Sequence, residues 1–130
     1  MIPKYRVWDK ELQTMLDVSL IDFKKGVLVG EHWEFGETNF MSFDEIVLMQ
    51  STGIRDINNR VIFEGDVVRQ VRTQPTTENE TITGVVTMLE GAWLIMNDCE
   101  QLASYLWSET DENKIIGNIY ENPELLGVKE

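Results

Sequence analysis

At 130 residues, 42% of them hydrophobic, the chain can bury one core or two small ones, and it lacks the roughly 18–20 consecutive apolar residues of a membrane span. Its one cysteine, Cys99, excludes an internal disulfide, and with the one histidine, His32, it falls short of the three or four nitrogen and sulfur ligands of a zinc site. The net charge of −12 is concentrated, −3 over residues 1–72 and −9 over residues 73–130, and a field of that sign repels phosphate backbones.

The opening Met1-Ile2-Pro3-Lys4-Tyr5-Arg6 has no apolar run of the secretory kind, so a cytoplasmic location is expected. Short β-branched and aromatic runs separated by Gly, Asn and Pro then recur along the chain, and helical periodicity is scarce. The pattern predicts strands at Tyr5 to Trp8, Leu16 to Phe23, Gly26 to Val29 and Ile46 to Gln50. Ser42 and Glu45 have the spacing of a helix capping box, but the apolar run after them is brief and continuous, as in a buried strand. Asn58-Asn59 marks a tight turn, because asparagine tolerates left-handed backbone. Beyond it, strands are predicted at Val61 to Phe63 and, after a reversal at Gly65, at Asp66 to Arg72. The polar connection from Thr73 to Glu80, with Pro75, reads as an exposed loop. Thr81 to Leu89 and Ala92 to Met96 flank Glu90-Gly91 as a hairpin would. Asp98 and Gln101 resemble a second capping box, with Leu102 and Leu106 on one face, which predicts a helix of about two turns. A strand from Ile115 to Tyr120 completes the set.

Candidate chemistry is thin. His32-Trp33-Glu34 has the spacing of the His-x-Glu element of zinc deaminases, but the Pro-Cys-x-x-Cys partner is missing, and a loop histidine is the plainer reading. Cys99 sits between Asp98 and Glu100, whose charge disfavours a thiolate, so a cysteine nucleophile paired with His32 is unsupported. No nucleotide fingerprint occurs, and the 23 acids guarantee chance carboxylate pairs. No catalytic residue, metal ligand or cofactor is assigned. Arg55, Arg60, Arg69 and Arg72 form the one basic cluster, a candidate contact for an anion or nucleic acid; neutralising Asp56, Glu64 and Asp66 is the commoner use of such residues. Of the tryptophans, Trp8, Trp93 and Trp107 read as core, whereas Trp33 lies among acids. Trp33, Phe35, Phe40 and Phe43 are the candidate interface residues.

Three stretches together resemble the YopX-like proteins of phages and prophages. They are Lys4-Tyr5-Arg6-Val7-Trp8-Asp9-Lys10, the segment from Leu48 through Asp56 and Asn58-Asn59-Arg60 to Phe63-Glu64-Gly65-Asp66-Val67-Val68, and Ile116-Gly117-Asn118-Ile119-Tyr120 continuing to Leu126. Asn59 and Phe63 stand where that family often has Gly and Tyr. The resemblance implies a β-rich protein without an established activity, a bacterial cytoplasm as its setting, and self-association.

The expected architecture is mainly β, with an N-terminal β segment over residues 1–50 that takes part in an oligomer interface, a small SH3-like barrel over residues 51–130, and one short helix. The expected role is that of a non-enzymatic phage accessory protein acting through protein contacts as a homo-oligomer. Its partner would be an unidentified host or phage protein, and no membrane is involved. The alternatives are an acidic decoy that imitates DNA to occupy a host DNA enzyme, and a weak nucleic-acid binder that uses Arg55 to Arg72.

Overall fold

The computed structural model describes residues 4–31, 38–72, 81–97, 102–107 and 111–126. They form two antiparallel sheets. One has the strand order β4-β3-β2-β1-β5-β6 and the other β10-β9-β8-β7-β11. The strands of the first are β1 (Tyr5–Asp9), β2 (Thr14–Asp22), β3 (Val27–Glu31), β4 (Thr38–Ser42), β5 (Ile46–Arg55) and β6 (Val61–Phe63). Those of the second are β7 (Asp66–Arg72), β8 (Thr81–Leu89), β9 (Ala92–Asn97), β10 (Leu102–Tyr105) and β11 (Asp111–Asn118). The chain divides into two compact units, Met1–Ser51 and Thr52–Glu130, the boundary falling inside β5.

In the N-terminal unit the alternation of side chains along the strands sends Val7, Leu16, Leu28, Met41 and Ile46 to one face, where they form a buried apolar cluster. Phe43 and Leu48 pack against its margin. The β1–β2 turn is built by Asp9, whose Oδ1 accepts the N–H groups of Glu11 at 3.0 Å and Leu12 at 3.1 Å. The Ser42/Glu45 box is present, and it caps a single 3₁₀ turn, Phe43–Glu45, before the chain enters β5. Box and strand therefore coexist.

In the C-terminal unit the core consists of Ile62, Val68, Ile82, Val86, Ile95 and Leu106, with Trp93 and Ile115 beside it. Glu90 (φ 51°) and Gly91 (φ 81°) are both left-handed, the requirement of a two-residue hairpin turn, and Leu89 faces Ala92 across it. A buried polar network accompanies the core. Gln70 Nε2 donates to Asn113 Oδ1 (3.0 Å) and the carbonyl of Tyr105 (3.1 Å), Ser104 Oγ donates to Gln70 Oε1 (3.0 Å), and Asn113 Nδ2 donates to the carbonyl of Leu106 (2.8 Å).

Two expectations are corrected. The five-stranded sheet is open: among the described residues no pairing joins β10 to β11, so the C-terminal unit is not a closed barrel. The helix expected after Asp98 is absent where the chain is described, since Leu102–Tyr105 is β10, paired antiparallel with β9 from Leu102↔Asn97 to Tyr105↔Leu94. The edge of β9 offers a ladder that satisfies every second backbone group, and Leu106 N–H continues it to the carbonyl of Trp93 at 3.0 Å. That outweighs a capping signal good for two turns at most. Both helical pieces observed, Phe43–Glu45 and Pro123–Leu126, are 3₁₀ turns. The Thr73–Glu80 loop falls outside the described residues.

Candidate interaction surfaces

The turn after β5 takes up two of the four clustered arginines. Asp56, its side chain fully buried, accepts the N–H groups of Asn58 and Arg60 on Oδ1, both at 2.9 Å, and that of Ile115 on Oδ2 at 3.0 Å. Asn59 takes the left-handed conformation (φ 65°) that the sequence anticipates. The Arg60 guanidinium lies 3.5 Å from Asp56 Oδ2 and donates to the carbonyl of Ile115 at 3.0 Å, so one cation clips the turn to β11. Burial pushes the Asp56 carboxyl up, but the N–H groups of Arg60, Ile115 and Asn58 and the Arg60 charge outweigh it and hold the pKa below its ordinary 3.8. Arg55 Nη1 donates to the carbonyl of Asn59 at 2.8 Å, bracing the same turn.

The other two lie on β7. Arg69 is exposed and faces Lys114 of β11 across the ladder, an adjacent pair of cations on the outer face of the sheet. The Arg72 backbone pairs with Asp111, and its side chain is outside the described set. The four arginines are thus divided between a structural pair and an exposed strand.

Of the aromatic candidates, Trp33 and Phe35 fall outside the described residues. Phe43 is half-buried against the N-terminal core, its ring edge-on to Phe23 at 6.0 Å. Phe40 is 74% exposed at the centre of β4, the last strand of its sheet. The register aligns Leu20, Val29 and Phe40 side by side on β2, β3 and β4, opposite the buried Leu28 and Met41 face. Leu20 is 61% exposed and Val29 half-buried, so the row is an apolar stripe three strands wide that ends at β4, the last strand of its sheet among the described residues.

A second exposed apolar region lies in the C-terminal unit. Trp107, expected in the core, is 62% exposed and lines a cleft of about 520 Å³ with Ile57, Arg55, Asp111 and Glu112. Leu106, at a bend just after β10, is the residue the core takes, and Trp107 follows it on the exposed side. Trp8 is buried and Trp93 half-buried, as their sequence settings suggest. Among the described residues no three His, Cys, Asp or Glu side chains approach closely enough to hold a metal ion, and no helix is long and apolar enough to cross a membrane.

The sequence matches the family described as YopX protein over residues 4–127. Two crystal structures share its architecture. Protein EF1440 from Enterococcus faecalis is 27% identical, with a TM-score of 0.64 over 97% of this chain and 99% of that one. Protein yopX from Bacillus subtilis is 20% identical, with a TM-score of 0.60 over 94% and 96%, a likeness of fold. A search among curated proteins gives no match.

Proposed function

We propose, from the premise that the chain belongs to the YopX family, that it is a non-enzymatic accessory protein of phage or prophage origin, working in the bacterial cytoplasm through protein–protein contacts as a homo-oligomer. The observation that carries this reading is the Leu20–Val29–Phe40 stripe. Single exposed apolar residues are ordinary on a soluble protein, but a stripe aligned by strand register and ending at the last described strand of its sheet marks a surface to be covered. Burying a Leu or Phe side chain there gains about 1.5–3 kcal/mol each, enough to offset the repulsion between two acidic chains when several are buried together. Sedimentation equilibrium at micromolar concentration tests it: the expected mass is well above the 15.0 kDa of one chain, and a clean monomer removes the self-association.

A second reading, contact with an anion or nucleic acid, is supported by the exposed Arg69 and Lys114 pair. It expects a gel shift with single-stranded DNA at low salt that disappears in the R69A/K114A double variant. No shift at low salt ends it.

A further inference from the structure

We infer that β4 is a self-pairing edge: it adds to β4 of a second copy, antiparallel about a two-fold axis through Phe40, joining two six-stranded sheets into one. The inference rests on the self-association reading and goes beyond it by fixing surface, symmetry and register.

An open sheet edge presents unpaired N–H and C=O groups, and soluble proteins usually blunt it with a charge, a proline or a bulge. The chain carries 26% charged residues, yet Thr38-Asn39-Phe40-Met41-Ser42 contains none of these; the one acid that reaches it is Glu45, whose Oε1 accepts the Ser42 N–H at 2.9 Å, and the pairing with β3 runs in unbroken register from Glu31↔Thr38 to Val27↔Ser42. Among the described residues the one cap on this edge is the Glu45 carboxylate at its Ser42 end, which leaves the strand centre at Phe40 uncovered, and that is the first observation.

Self-complementarity is the second. An antiparallel pair centred on Phe40 sets Phe40 opposite Phe40 of the second copy and Thr38 opposite Ser42, with no charge facing a like charge within the strand. The exposed stripe then continues through the seam, Leu20, Val29 and Phe40 of one copy followed by Phe40, Val29 and Leu20 of the other. Two aromatic rings that are 74% exposed in one chain cover each other. Such an isologous contact closes on itself and gives a dimer, not a filament.

Asp44 and Glu45 follow β4, and each chain carries a net charge of −12, so two copies repel and the dimer tightens as salt rises. A contact with a basic partner would weaken instead.

The test uses the intact chain in a Cys99→Ser background. Phe40→Cys is expected to give a disulfide-linked dimer under mild oxidation at least tenfold faster than Leu12→Cys, a control at a position 66% exposed in the β1–β2 turn. Separately, Phe40→Asp places like charges across the two-fold and should raise the dimer dissociation constant at least tenfold in sedimentation equilibrium, with circular dichroism unchanged. Trp107→Glu, at the exposed apolar site of the other unit, should change it less than twofold. Equal cross-linking of the two cysteine variants overturns the inference. So does an oligomer indifferent to Phe40→Asp, or one that loosens with salt; in either case self-association through another surface stands. A monomeric wild type removes both.

Discussion

The two units solve the same problem with different materials. The N-terminal unit relies on an apolar cluster on one face of its strands, with buried Asp9 serving a turn, and leaves apolar side chains, Leu20 and Phe40, on the other. The C-terminal unit threads its interior with polar groups: Gln70, fully buried, shares hydrogen bonds with Asn113, Ser104 and two backbone carbonyls, and Asp56 gathers three backbone N–H groups. Apolar burial is tolerant of small errors, whereas a buried polar network is stable only when each member is satisfied. The difference teaches where single substitutions will hurt. It also shows which unit has apolar surface arranged along an open edge.

The comparison breaks most readily at Asp56. Asp56→Ala orphans three N–H groups at once and should cost about 3 kcal/mol, read as loss of amide exchange protection in β7 and β11 with β1 and β2 unchanged. Equal loss in both units would show that the effect is not confined to the C-terminal unit. Acid sharpens the same point. The folded pKa of Asp56 lies below the ordinary 3.8, so its contribution is complete above that value and is lost as pH falls through the lower folded value. Asp56→Asn should flatten the acid limb of the C-terminal unit's stability below about pH 4 and leave its stability near pH 7 reduced by a constant amount.

Smaller effects follow along the same line. Gln70→Leu removes the hub of the network, taking an acceptor from Ser104 Oγ and a donor from Asn113 Oδ1, for about 2 kcal/mol in chemical denaturation. A Cβ at Gly84 would lie 2.7 Å from the backbone oxygen of Met96, so Gly84→Ala must push β8 and β9 apart, at about 1–2 kcal/mol by thermal melting. Ser42→Ala takes one acceptor from an exposed 3₁₀ turn of the N-terminal unit and should cost about 0.5 kcal/mol by the same melt.

Much of the sheet structure is legible in the residues, because β-branched runs bounded by turn formers leave little choice. Val61–Phe63, Asp66–Arg72 and Thr81–Leu89 are read residue for residue. The strands that escape are those whose order comes from a neighbour. β4 offers only Phe40 and Met41 between polar residues, and β10 carries a helix-like pairing of Leu102 with Leu106, so both acquire their form from the ladder beside them. β5 runs past Gln50 to Arg55 because Gly53 takes φ 79° and the Thr52 hydroxyl holds the carbonyl of Ile62 at 2.8 Å, so a segment that reads as a break remains extended. The site is legible only in part. Phe40 is picked out in the sequence only as one of a group of candidate interface aromatics, and its position at a sheet edge and its alignment with Leu20 depend on register, which no local pattern encodes. The arginines show the converse: close in sequence, they are divided by the geometry of one turn, and the residue that organises them, Asp56, is inconspicuous among 23 acids.

Amide hydrogen exchange followed as a function of protein concentration tests the central claim most directly. The account predicts that the Phe40 amide, at the centre of β4, gains protection as concentration rises and loses it on dilution, while the Ser42 amide, held by Glu45, and those at the outer edge of β10 exchange at a constant rate. Exchange at β4 that is independent of concentration from low to high micromolar, in a protein that nonetheless self-associates, would contradict it.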